Sequence, residues 1–213
     1  MADNYLEKRY EETLGSQRPK VKRVGPNLDQ LLVRARSCRV YNKNYRVSRA
    51  ELERIVGACT KIGSAKNQQV LRFRLVTQGP EADLINANIK LGGLLPELHL
   101  PLPGTEPEAF IVACTNATAN NYTYIDLGMA LQTMMLKISE MGLSGLIIGA
   151  FNKTEIKAGL NLNHEPLMVL AVGKGAEQFQ LVPVAEGHDL AYYREGGTHY
   201  VPKLSATDLI INS

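Results

Sequence analysis

The stretch DLGMALQTMMLKISEM, Asp126 to Met141, constrains the fold of this 213-residue chain more than any other. Leu127, Leu131, Met134, Ile138 and Met141 recur at helical spacing and make one apolar face. Met129, Ala130, Met135 and Leu136 make much of the opposite side apolar as well. A helix apolar on nearly every side has to be covered on both, either in the middle of a core or across a subunit interface. With 45% apolar residues and a length in the one-domain range, the chain can build such a core.

The segments around this helix alternate between the two periods of regular structure. Leu28 to Arg36 reads as a short helix with Leu28, Leu31, Leu32 and Ala35 on one face. Ser48-Arg-Ala-Glu51 is a capping box that opens a second helix, with Leu52, Ile55, Val56 and Cys59 inward and an end near Gly63. Val70 to Val76 reads as a strand, Glu81 to Leu91 as a helix, and Gly92 to Pro107 as a loop before the strand Ala109 to Thr115. Further strands are expected at Leu146–Ile148, Leu167–Val172 and Phe179–Val184, and Asp208 to Ile211 extends a sheet at the end of the chain. Leu204, Leu209, Ile210 and Ile211 are costly to leave in water, so the tail is expected to pack. No repeat or low-complexity linker interrupts the pattern. The expected organisation is an N-terminal arm over residues 1–26 and a single domain with a C-terminal extension over 27–213, of α+β class.

Charge and motif content exclude several function classes. A net charge of +3, scattered along the chain, is too small to argue for nucleic acid. No run of 18 apolar residues spans a membrane, the polar N-terminus is no secretory signal, and three widely spaced cysteines suit reduced thiols in the cytoplasm. The histidines His99, His164, His188 and His199 have no metal-ligand spacing and are expected in loops or on the surface. Gly173-Lys174-Gly175 follows a strand, but Gln178 stands at the third position of the dinucleotide fingerprint and the chain beyond it reads as extended. No side chain has the setting of an activated nucleophile or a paired acid and base, so a cofactor is expected to carry any chemistry.

Two polar clusters remain. RSCRVY, Arg36 to Tyr41, places two guanidiniums and a hydroxyl close together at the end of a helix. They can wrap a phosphate, or simply be surface arginines favoured by a helix C-terminus. GSAKNQQ, Gly63 to Gln69, gathers amides and a hydroxyl immediately before a core strand. It is either a turn-forming loop or a set of neutral hydrogen-bonding groups for a polar ligand edge.

In order and spacing these segments resemble the FMN-dependent nitroreductase family. The family's R-S-x-R-x-[YF] is matched by Arg36, Ser37, Arg39 and Tyr41, and its S-x-x-N-x-Q by Ser64, Asn67 and Gln69. Its D-x-G-x-A-x-Q helix is matched by Asp126, Gly128, Ala130 and Gln132, followed by Gly142-Leu143, IIGAF at Ile147–Phe151, and Ala171–Lys174. Val70-Leu71 stands where the family commonly has Pro-Trp. The resemblance implies a central, mainly antiparallel sheet flanked by helices and a homodimer with FMN in two interface clefts. It implies that Arg36, Ser37 and Arg39 face the FMN phosphate, with Lys203 as a third basic partner. Ser64, Asn67 and Gln69 lie along the flavin, and backbone amides around Ile148 and Gly149 lie near its N5. The implied reaction is ping-pong, from NADH or NADPH through the flavin to a small nitroaromatic, quinone or similar acceptor, with no catalytic side chain. An enone reductase, a flavin-cleaving enzyme and a non-catalytic flavin-binding protein are the alternatives.

Overall fold

The computed structural model describes residues 25–93 and 100–211, so nearly all of the expected N-terminal arm lies outside the described residues. Its centre is a four-stranded sheet in the order β1-β2-β4-β3, antiparallel throughout. The strands are β1 (Leu71–Val76), β2 (Ala109–Thr115), β3 (Ser144–Ile148) and β4 (Glu165–Gly173). All seven residues of β2 are buried, because helices cover both faces of the sheet.

The period-two alternation of β2 divides the core in two. Ala109, Ile111 and Ala113 meet the helices α2 (Arg49–Gly57) and α4 (Asn121–Glu140) through Leu52, Ile55, Leu127, Leu131, Met134 and Ile138. Phe110, Val112 and Cys114 meet α3 (Pro80–Ala87) and α5 (Lys153–Gly159) through Ile85 and Ile156. The architecture is therefore the expected α+β one, a central antiparallel sheet flanked by helices.

The capping box at α2 forms as expected, with the Ser48 side chain and Glu51 bonding reciprocally. The α-helix stops at Gly57 and continues as a 3-10 turn over Ala58–Lys61. Helix α4 begins five residues before Asp126. Asn120 caps it by accepting from the amides of Tyr122 and Thr123 at 2.9 and 3.2 Å, and the Thr123 hydroxyl accepts in turn from Asn120 N at 3.2 Å. Its C-terminus ends on Gly142 in the left-handed region, and Lys174 Nζ donates to the Gly142 carbonyl at 2.8 Å.

One face of α4 faces the sheet, and α1 (Leu28–Arg34) covers only part of the other. Tyr122 is 60% exposed and Ile125 57%, with Met129 beside them on α4 and Leu28, Leu32 and Val33 on α1 also open to solvent. Among the described residues the helix is thus fully covered on one side and only partly on the other, and α1 buries none of its residues.

The chain continues into a second sheet, β5-β7-β6, made of β5 (Gln178–Val184), β6 (Tyr193–Glu195) and β7 (Thr198–Leu204). Strands β6 and β7 form a hairpin around Gly196-Gly197, whose positive φ values of 55° and 81° suit a two-residue turn. β5 pairs with β7 in parallel. The expected strand at Asp208–Ile211 does not form: Ser205 caps a short helix, α6 (Ala206–Leu209), by accepting from Asp208 N at 3.2 Å. Leu209, Ile210 and Ile211 are exposed in the single chain, contrary to the packed tail expected.

Candidate functional site

The segment Arg36–Tyr41 runs along the outer edge of β3 and is tied there by its backbone. Ser37 bridges Gly145, and Cys38 N donates to Gly145 O at 3.0 Å. Asn42 N donates to Lys174 O at 2.8 Å and Ala176 N to Val40 O at 2.9 Å. Glycine makes this approach possible, since a Cβ on Gly173 would fall 2.5 Å from the Tyr41 ring.

Both guanidiniums of the segment carry an unused donor. Arg36 Nη2 donates to the Leu32 carbonyl in the last turn of α1, and its Nε is buried without a partner. Burial lowers its pKa from the ordinary value, yet it stays a cation at neutral pH. Arg39 is no surface residue: it is 8% exposed. Its Nη1 donates to Ser37 O at 3.0 Å, its guanidinium lies 4.7 Å from the centre of the Tyr192 ring, and its Nε is also buried and unpaired.

The C-terminal sheet supplies what surrounds Arg39. The Glu177 carboxylate accepts from the amides of Arg39 and Val40 and pairs with Arg194. Arg194 Nε donates to His199 Nδ1 at 3.3 Å, and His199 stacks on Tyr192 at 5.0 Å. His199, expected at the surface, is 3% exposed. Burial and the nearby Arg39 lower its pKa against the opposing pull of Glu177. The ring is therefore neutral, with Nδ1 accepting and the proton on Nε2. One carboxylate faces two guanidiniums, so the cluster is cationic. Burial, reinforced by Glu177, pushes the Cys38 thiol up to about 12, so it is no nucleophile.

The second group stands before β1. The loop Ser64–Gln69 contains Lys66, Asn67 and Gln69 at φ 51°, 53° and 48°, a strained concentration of left-handed residues. Asp126, buried on α4, holds it by accepting from Ala65 N with both oxygens, at 2.9 and 3.2 Å. Gln69 N donates to Ser64 Oγ at 3.3 Å, and Gln69 Nε2 to Asn67 Oδ1 at 3.1 Å. Ser64, Asn67, Gln69, Arg72, Cys59 and Asp126 line part of a cavity of about 330 Å³, a volume within the range of small-molecule sites. Burial raises the Cys59 thiol to about 11, so it too stays protonated.

The structure gathers the sequence-derived residues into two groups rather than one. Arg36, Ser37 and Arg39 share the β3 edge, where Ile148 and Gly149 end a strand whose outer side is outside the ladder. Ser64, Asn67 and Gln69 share the loop before β1, at the opposite edge of the sheet. Three strand spacings separate β1 from β3 and Ser37 lies one further out, so the groups stand roughly 19 Å apart in that direction. Lys203 is exposed on β7, four residues beyond His199, or about 13 Å along the strand.

Sequence reasoning missed Glu177, Tyr192 and Arg194, and it gave Asp126 no role beyond its place in a motif. Residues 32–174 match the sequence model of the Nitroreductase family, which is more than half of the chain. The chain belongs to the nitroreductase family. Solved structures agree at the level of the fold. A nitroreductase family protein from Clostridium difficile 630 is 21% identical, with TM-score 0.57, covering 71% of this chain and 86% of its own. A Desulfovibrio desulfuricans protein named as a nitroreductase and bound to FMN is 20% identical, with TM-score 0.59, covering 72% of this chain and 89% of its own. A Bacteroides thetaiotaomicron protein named as an NADH dehydrogenase or NAD(P)H nitroreductase is 21% identical, with TM-score 0.60, covering 78% and 95%. Among curated proteins none matches the chain. Among the described residues, no helix of this nitroreductase family member is long and apolar enough to cross a membrane.

Proposed function

We propose that this protein is a cytoplasmic FMN-dependent oxidoreductase that uses NADH or NADPH to reduce a small oxidised acceptor, and that it works as a homodimer through a single FMN-binding domain over residues 27–213. The observation that carries the reading is the pair of buried, unpartnered guanidinium Nε groups on Arg36 and Arg39. Such groups are costly to leave unpaired, and two on one short cationic segment fit an incoming phosphate. The Ser37 side chain is exposed beside them. The exposed Lys203 would join them only by moving or from a second subunit, given its distance along β7.

The separation of roughly 19 Å between this segment and the Ser64–Gln69 loop supports a site shared between two protomers. One protomer would hold the phosphate with Arg36, Ser37 and Arg39, and present the backbone of Ile148 and Gly149. The other would offer Ser64, Asn67 and Gln69 to the polar edge of the ring. The exposed apolar residues of α1 and α4 give such a pairing its surface, since obligate interfaces resemble a divided core. FMN held by Arg36, Ser37 and Arg39 would supply the redox chemistry, hydride transfer from NADH or NADPH to a nitroaromatic, quinone or similar acceptor. The chain orients and shields: the loop side chains that line the cavity, Ser64, Asn67 and Gln69, are neutral amides and a hydroxyl, both Asp126 oxygens are taken by Ala65 N, and the Cys59 thiol stays protonated.

The absorption spectrum of the purified protein tests the reading. A flavin spectrum is expected, with release of FMN rather than FAD on denaturation, bleaching by NADH or NADPH, and recovery when acceptor is added. Arg36→Gln should weaken FMN binding by about 1.5–3 kcal/mol, roughly 10- to 100-fold. Arg39→Ala is a poorer test, because that side chain is buried and its loss also disturbs the fold. A colourless protein that takes up no added FMN would overturn the proposal.

A further inference from the structure

We infer that the groove on the other face of β1 is a subsite for a phosphate monoester, which makes the 2′-phosphorylated dinucleotide NADPH the preferred electron donor. The assignment of that phosphate to the donor rests on the proposed flavin reading. The existence of the subsite does not.

The groove has a volume of about 570 Å³ and is lined by Arg72, Arg74, Glu81, Asn163 and His164, with Leu160 and Leu162 on its apolar side. Strand alternation sends Arg72 and Arg74 to the α3 and α5 side of β1, away from the loop cavity beyond the sheet. Yet Arg72 and Phe73 line both spaces, so the groove and the 330 Å³ cavity adjoin across the edge of β1. A molecule wrapped over that edge would touch both.

The charges favour an anion. Arg72 is exposed, and its Nη1 donates only to main-chain carbonyls, Gln69 O at 2.8 Å and Leu71 O at 2.7 Å. Its Nη2 donates to the Asn116 side-chain oxygen at 3.0 Å, and these neutral acceptors satisfy its donors but do not neutralise its charge. Arg74 pairs with Glu81 at 2.5 Å, while its Nε is buried with no partner. Among the described residues Glu81 is the one carboxylate lining the groove, and Lys157 and Glu165 nearby neutralise each other at 2.7 Å. Two guanidiniums against one carboxylate leave a net positive groove. A phosphate monoester brings three acceptor oxygens and up to two charges. Arg72 and the free Arg74 Nε can take two of those oxygens, with the His164 ring and the Asn163 amide as further donors.

The shape argues for a phosphate attached to a larger molecule. Leu160 and Leu162 give the groove an apolar side, which a free inorganic ion would not use but a nucleoside would. The adjoining cavity is lined by the loop that the proposed function lays along the flavin, so a nicotinamide stacked on that ring would lie beside it. A ligand with an anionic end on one side of β1 and a nicotinamide ring on the other meets both descriptions. Dinucleotide without the 2′-phosphate leaves Arg72 and Arg74 unused.

Titration calorimetry on the purified full chain, at low salt, separates the outcomes. Adenosine 2′,5′-bisphosphate should bind about tenfold more tightly than 5′-AMP, the worth of one charge-assisted contact. Arg72→Gln should reduce that preference to near one. Asn163→Asp, a change at an exposed loop position, should do the same by repulsion without altering thermal stability or FMN uptake. Glu81→Gln should raise the preference by freeing Arg74. In steady state, Asn163→Asp should raise the KM for NADPH several-fold more than that for NADH. Equal binding of bisphosphate and 5′-AMP, or an unchanged preference in Arg72→Gln and Asn163→Asp, overturns the subsite. Inorganic phosphate binding as tightly as the bisphosphate overturns the nucleotide assignment. A colourless protein that still prefers the bisphosphate removes the flavin reading and leaves the subsite standing.

Discussion

The Arg36–Tyr41 segment and the Ser64–Gln69 loop are similar in length and both polar, but they are held in opposite ways. The first is fixed by partners far away in sequence. Backbone bonds tie it to Gly145, Lys174 and Ala176, and Glu177 grips its amides from 138 positions away. Its own dihedrals are unremarkable. The second lies mostly exposed and takes its shape from three left-handed residues, with Asp126 as its main distant anchor. A phosphate site needs fixed charges, and a cationic cluster stays in place only when the surrounding chain is rigid. A loop that lies along a flat ring needs a set curvature and the freedom to admit a second substrate, which local strain over few anchors supplies.

The strongest break in this contrast is expected at Glu177, whose side chain is 6% exposed. Glu177→Ala removes the acceptor for two amides and leaves the Arg194 guanidinium without its carboxylate. Removing one partner of a buried ion pair costs about 3–5 kcal/mol. Denaturant unfolding should show a loss of that order, together with weaker FMN retention. A loss below about 1 kcal/mol would mean the C-terminal sheet does not hold the segment.

Asp126→Ala should act next most strongly, and locally. It removes a charge-assisted bond to Ala65 N, worth about 1.5–3 kcal/mol. Amide hydrogen exchange should speed up across residues 64–69 and stay as in wild type across 36–41. If both segments loosen together, the two regions are not independent and the comparison fails.

The way each region is held also explains what was legible in the sequence. The sheet, the α2 capping box and the inward face of α4 follow from periodicity, because apolar spacing is a local signal. The start of α4 was not: Asn120 to Ile125 carries aromatic and β-branched residues of poor helix propensity, and only the Asn120–Thr123 cap marks it. The two polar clusters could be found as motifs. Their contacts could not, since nothing in the spacing links Glu177 to Arg39 or Arg194 to His199. His199 was expected in solvent because a histidine in a polar tail gives no sign of the Tyr192 and Phe179 rings that bury it. The apolar tail at Leu209–Ile211 was expected to pack and is exposed, and the open face of α4 is covered only in part among the described residues, because apolar spacing marks a face without naming what covers it.

The smallest effect tests the strain itself. Lys66 sits at φ 51°, is exposed and donates no side-chain bond in the loop, so its backbone can be relieved without touching Ser64, Asn67 or Gln69. A side chain in the left-handed region costs about 1–2 kcal/mol. Glycine avoids that cost but gives up about 0.5–1 kcal/mol in the unfolded chain's entropy. Lys66→Gly should therefore stabilise by roughly 0.5 kcal/mol. The lost charge is controlled by Lys66→Ala, which keeps the strained backbone and removes the ammonium. Glycine should exceed alanine by the same roughly 0.5 kcal/mol, a difference that charge cannot explain. At Val40 the same glycine substitution should only destabilise, because no residue from Arg36 to Tyr41 has a positive φ to relieve. If Lys66→Gly is no more stable than Lys66→Ala, the loop holds its curvature without strain, and its shape comes from anchors such as Asp126, as it does in the segment at the other edge of the sheet.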